Sequence, residues 1–204
     1  AIAAWAAAAL PVARLALAQS PEPLRCGGTW AVGLDLLDND ATGAVAGCAF
    51  PWEALPLRPQ ALHRGQVSAI YPGYPLPSEQ ESPAAYCFRR SRDAAHLDGL
   101  LAVGADRRRL LQEPHGWILG LPLTECSPGA AALVVWEGSH EIIRAALWDA
   151  CGNCRAEDMA ALDLTTAYTA ARARVFEICP RVAVAAAPGQ AILLHRMTIH
   201  GIAP

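Results

Sequence analysis

The chain reads as a mainly β protein with inserted helices, folded as one domain of the barrel or sandwich kind. Three observations carry this. After residue 66, about seven or eight short apolar segments follow one another, most of them bounded by proline and glycine. Hydrophobic residues make up 53% of the 204 positions and charged residues only 17%, which excludes a disordered chain and leaves ample material for a core. No GxGxxG or GxxxxGK[ST] motif is present, so a nucleotide-binding α/β sheet has no support.

Taken in order, apolar residues at Ile2, Trp5, Ala9, Val12 and Ala16 recur with helical spacing, and an Ala-rich helix packed on the domain is expected, with Pro11 kinking or restarting it. Arg14 interrupts the apolar run and no basic segment precedes it, which argues against a signal peptide and a membrane span. Residues 29–34 read as a strand, 51–65 as irregular and 66–71 as a strand. The proline- and serine-rich stretch 72–83 is expected to be a surface loop, a candidate lid over a site. Residues 84–97 read as strand-like and 106–113 as a short helix, with Arg107, Arg108 and Arg109 on a solvated face.

The almost wholly apolar run 117–123 suggests a strand buried on both faces. Ser127-Pro128-Gly129 marks a turn and 131–136 another apolar strand. Helices are expected at 141–148 and 164–178, then a strand at 181–187, a Pro188-Gly189 turn, and a strand or pair of strands over 191–200. The organisation is therefore a single domain, with an N-terminal helix, strand and loops over 1–65 and the β core over 66–204.

Composition narrows the function. The formal net charge is −3, with no basic excess to grip nucleic acid. Seven cysteines, an odd number scattered along the chain, point to a reducing cytoplasm, not to a disulfide-stapled secreted domain. Cys151 and Cys154 form a lone CxxC without the further ligands that a structural zinc site requires.

The residues with chemistry to offer are histidines and one aspartate. In a strand, His96 and Asp98 point to the same side and present an imidazole beside a carboxylate. One nitrogen and one hard oxygen suit Fe(II) or a similar divalent metal. The segment 188–201 offers a third ligand, because an apolar strand leads from a tight turn to His200-Gly201. His200 is preferred and His195 is the alternative. Their odd spacing places them on opposite faces of one continuous strand. Together with His96 and Asp98, His200 completes a two-histidine, one-carboxylate facial triad with open positions for a cosubstrate and oxygen. His140 reads as structural, with Ser139 as a helix N-cap. His63 and His115 have no assigned role, and Trp30, Tyr71, Tyr74 and Tyr86 are core aromatics or pocket walls.

Four motifs in order, His96-x-Asp98, Gly138-Ser139-His140, Pro188-Gly189-Gln190 and His200-Gly201, together with the Trp117-led apolar strand, resemble the phytanoyl-CoA dioxygenase family over residues 66–204. The resemblance implies a double-stranded β-helix, a jelly-roll or cupin-like barrel. It also implies Fe(II) on His96, Asp98 and His200, with 2-oxoglutarate as cosubstrate. The implied activity is oxygenation of a small molecule by O2, coupled to decarboxylation of 2-oxoglutarate to succinate. Gln190 departs from the family, which commonly has an acidic residue there. The family arginine that pairs with the distal carboxylate of 2-oxoglutarate follows the last histidine and is expected beyond Pro204. The chain opens without methionine inside a helix and stops just after a strand-like segment, so further residues are expected at both ends, including the last barrel strand. Arg196 shares a face with His200 but precedes it and does not match. Two rival readings are a cupin-like metal enzyme without 2-oxoglutarate, and a non-catalytic jelly-roll in which His96 and Asp98 merely hydrogen-bond.

Overall fold

The structure is a computed structural model that describes residues 1–126 and 129–204. The expected turn at 127–129 therefore lies largely outside the described residues. The architecture is mixed α/β, with helices inserted among the strands as expected, although the four α-helices hold more residues than the strands do. The strands form small antiparallel sheets, and no closed barrel is present among the described residues.

Helix α1 (Ile2–Gln19) is continuous through Pro11. It buries Trp5, Ala6, Ala9 and Ala13. Trp5 Nε1 donates to the Gly43 carbonyl at 2.9 Å, which satisfies the indole in an apolar setting. By length and composition alone α1 is apolar enough to cross a membrane, with a mean hydropathy of 1.4. Strand β1 (Trp30–Leu37) pairs with β2 (Gly65–Ile70), from Trp30 opposite Ile70 to Leu37 opposite Gly65. Trp5, Ala9, Ala13, Leu37, Val45 and Val67 form one hydrophobic core around α1 and this pair.

Helix α2 (Pro83–Ser91) replaces the strand expected at 84–97. The local signals favour it: Ser82 Oγ accepts from the Ala85 amide at 3.2 Å, and Pro83 opens the first turn. Arg89 and Arg90 sit in the last turn, where the helix dipole favours cations. The helix expected at 106–113 is instead half of a hairpin, β3 (Leu100–Val103) with β4 (Arg108–Leu111). Gly104 and Arg107 turn the chain with φ of 73° and 51°, and Leu100 and Leu110 are buried.

Strand β5 (Trp117–Gly120) is half-buried along its length and pairs with β8 (Ile192–His195). Residues 121–123, expected to extend β5, lie outside it. A three-stranded sheet has β6 (Leu133–Trp136) between β7 (Arg181–Val184) and β9 (His200–Ile202). Helices α3 (Ser139–Cys151) and α4 (Thr165–Ile178) follow the expected segments closely. They pack over this sheet, and Ile143, Leu147, Tyr168, Ala171 and Val175 join Val134, Trp136, Ala95, Leu97 and Ile199 in a second core. The second core carries the site.

Candidate metal centre

His96, Asp98 and His200 come together. One possible donor atom from each lies within 4.8 Å of the other two. His96 and His200 form an antiparallel bridge: the His96 amide donates to the His200 carbonyl at 2.9 Å, and the His200 amide donates back at 3.2 Å. Their rings lie 4.6 Å apart. Around the motif the chain alternates as an extended segment does, with Ala95 and Leu97 buried in the core and His96 and Asp98 on the other side.

Two glycines let the segments approach. A Cβ on Gly201 would overlap the Asp93 carbonyl oxygen, and one on Gly99 would overlap the Glu113 carbonyl oxygen. Gly99 also has φ of 77°, a conformation that glycine adopts without steric cost. Each glycine directly follows a triad residue. The Ile202 amide donates to the Asp93 carbonyl at 2.7 Å, closing the last strand onto the HxD segment.

The rings are oriented by the backbone. His96 Nδ1 lies 3.1 Å from the Ala94 carbonyl oxygen and His200 Nδ1 lies 3.0 Å from that of Thr198. A carbonyl only accepts, so each Nδ1 carries the proton, and each neutral ring keeps its lone pair on Nε2. His96 Nε2 is 3.1 Å from Asp98 Oδ1, and His200 Nε2 is 3.5 Å from Asp98 Oδ2. Acceptor atoms thus lie close together, and a proton or a cation between them relieves their repulsion. Hydrogen-bonded histidines of this kind are typical metal ligands.

Electrostatics reflect the same conflict. Burial works to raise the Asp98 pKa, but the His96 hydrogen bond and the surrounding imidazoles outweigh it and hold the carboxyl below its usual range. Burial works to lower the His96 pKa, and Asp98 overcomes it, so the value is raised. Burial and the neighbouring His96 push His200 down. Side-chain exposure is 45% for His96 and 31% for Asp98 but 9% for His200, so the cluster opens on one side.

The other candidates lie elsewhere. His195 ends β8 opposite Trp117, and its ring lies 5.0 Å from that of His140, tilted by 43°. The chain turns between His195 and His200, with the Thr198 amide on the His195 carbonyl at 2.9 Å. The two histidines therefore belong to different strands, and the single-strand face argument did not apply. Arg196 reaches the His115 carbonyl at 3.5 Å. Ser139 is not the N-cap of α3, a position taken by Gly138. Fully buried, its Oγ accepts from the Ile199 amide at 3.0 Å and pins the residue before His200. Cys151 and Cys154 are free thiols.

The candidate lid is tied down. Arg89 donates to both carboxylate oxygens of Glu81, at 2.8 and 2.7 Å, and to the Leu76 carbonyl at 3.1 Å. Of the aromatics expected near a site, Trp30 and Tyr74 pack edge to face at 5.6 Å, and Tyr86 donates to the Pro75 carbonyl. Sequence reasoning missed Arg172, whose Nη2 donates to the Ala95 carbonyl at 2.8 Å, directly before His96. Nothing local in the sequence marks it. No protein-family model, curated protein or solved structure matches the chain.

Proposed function

We propose that the chain is an Fe(II)- and 2-oxoglutarate-dependent oxygenase that hydroxylates a small-molecule substrate, built on a jelly-roll framework like that of the phytanoyl-CoA dioxygenases. The observation that carries the reading is the convergence of the His96, Asp98 and His200 donor atoms within 4.8 Å. Two imidazole nitrogens and one carboxylate, on one side of a bridged strand pair, fit a divalent cation that keeps open positions. The tautomers fit as well, because both Nε2 atoms are free of protons once the rings are neutral.

His96, Asp98 and His200 would hold the metal. Bound Fe(II) supplies the redox chemistry of O2 activation, with 2-oxoglutarate as the reductant that leaves as succinate and CO2. The protein's part is positional. The Ala94 and Thr198 carbonyls fix the ring planes, and the Ser139 hydroxyl and Gly201 bring His200 to the HxD segment. Asp98, held ionised by its neighbours, supplies the negative charge that a dication needs. The exposed edge at His96 and Asp98 is the side from which a substrate can approach. The requirement for 2-oxoglutarate rests on the resemblance of the ordered set of motifs to that family.

The test is an anaerobic titration of the full-length protein with Fe(II) and then 2-oxoglutarate, followed by visible absorption. The expected result is a metal-to-ligand charge-transfer band that is absent in His96→Ala and His200→Ala and retained in His195→Ala. Metal binding without the band would point to a metal enzyme of another kind. No metal binding at all would leave a non-catalytic protein.

A further inference from the structure

A second polar cluster surrounds Arg172. A cavity of about 360 Å³ opens between α2, β4 and α4. Three arginines line it, Arg92 after α2, Arg109 on β4 and Arg172 on α4, with Phe88, Tyr168 and Phe176 between them. The Arg92 and Arg172 guanidiniums stand 4.6 and 4.8 Å from the centre of the Phe176 ring, and that of Arg109 stands 5.7 Å from the Tyr168 ring. Phe88, 55% exposed, forms part of the wall, 6.0 Å from the Arg172 guanidinium.

No carboxylate pairs with any of these three guanidiniums among the described residues, although six other arginines of the chain have such partners. The one acid lining the cavity, Glu177, is engaged by Arg174 at 3.2 Å. Arg172 Nη2 is used by the Ala95 carbonyl, and its buried Nε has no partner among the described residues. Burial holds the Arg172 pKa below its ordinary value, and repulsion from Arg109 and Arg92 adds to this. Three like charges gathered in a half-enclosed, aromatic-walled space repel one another, and among the described residues none of them has a carboxylate partner within salt-bridge distance. Aromatic faces hold the guanidiniums in place without neutralising them. A planar guanidinium presents paired donors that match the oxygens of a carboxylate or phosphate.

We infer that the Arg92–Arg109–Arg172 cleft is a binding site for a small organic anion, whose carboxylate or phosphate group meets the guanidiniums while its apolar part lies against Phe88 and Phe176. The size is that of a small-molecule pocket. No residue of the triad lines the cleft, although Arg172 and Tyr168 also hydrogen-bond the HxD segment, at Ala95 and Leu97.

The experiment is calorimetric titration of the metal-free full-length protein, at low ionic strength, with inorganic pyrophosphate and, separately, with succinate. Saturable binding of at least one probe is expected. Tighter binding of pyrophosphate identifies a phosphate site, and tighter binding of succinate a carboxylate site. The double variant Arg92→Gln, Arg109→Gln should bind about tenfold or more weakly, because charge-assisted hydrogen bonds are lost. His200→Ala should bind as the parent does, which separates this cleft from the imidazole cluster. Circular dichroism checks folding, and Arg92→Gln alone carries the comparison if the double variant fails to fold. No saturable binding of either probe, equal affinity in the parent and the folded cleft variant, or loss of binding in His200→Ala would overturn the inference. A failed charge-transfer test at the metal centre leaves this result unaffected.

Discussion

At the scale of single residues, the site depends on atoms that carry no chemistry of their own. Gly201 matters because the Asp93 carbonyl occupies the space where a side chain would begin. Gly201→Ala forces either the HxD segment or β9 to move, and the His96–His200 bridge lies between them. Overpacking at such a contact costs about 1–3 kcal/mol. The expected outcome is that loss of stability in urea unfolding, together with weaker metal binding by the folded variant. Unchanged stability would mean that the two segments are less tightly apposed than they are here. Ser139 makes the same point differently: its hydroxyl fills the hydrogen-bonding need of a buried amide, a role that its place in a Gly-Ser-His motif does not disclose.

At the scale of elements, α2 and the loop before it act as one unit. The Arg89–Glu81 pair joins them. Its hydrogen bond lowers the Glu81 pKa more than burial raises it, so the folded state prefers the ionised carboxyl. The stabilisation is therefore complete above the ordinary glutamate range and disappears as the pH falls through the lowered folded-state value. Denaturant unfolding of the parent and Glu81→Gln should show a constant difference at neutral pH that closes on acidification. A difference independent of pH would assign the effect of the substitution to something other than charge. The same element scale explains two departures from expectation. A capping serine and Pro83 outweigh the strand-like reading of 84–97, and the Gly104 and Arg107 turn makes a hairpin of 100–111 where a helix was expected.

At the scale of the molecule, links between distant segments hold the site. Asp93, 3% exposed, receives two hydrogen bonds from Arg181 on β7, at 2.7 and 2.6 Å, and its carbonyl receives Ile202 of β9. With φ of 52° it bends the chain between α2 and the HxD segment. Arg181→Ala leaves a buried carboxylate without its cation, which costs about 3 kcal/mol. Arg174→Ala, at an exposed pair, should cost about 1 kcal/mol or less. Urea unfolding of the two variants measures the contrast, and similar losses would show that the Asp93 pair is no more than a surface contact.

The sequence by itself determined the His96 and Asp98 half of the donor set and much of the local structure. Period-two alternation puts His96 and Asp98 on one side while Ala95 and Leu97 face the core, apolar periodicity marks α1, and the segments of α3 and α4 read as helices. These features are local, set by backbone geometry over a few residues. Only the tertiary structure decided that His200 and not His195 meets His96, because the turn after His195 and the register of β9 on β6 settle it. It alone placed Arg172 beside the HxD segment and gathered around one cavity three arginines that have no carboxylate partner among the described residues. Such encounters join residues far apart in the chain. Strand register and helix packing fix them, and neither is written in the spacing of residues along one segment.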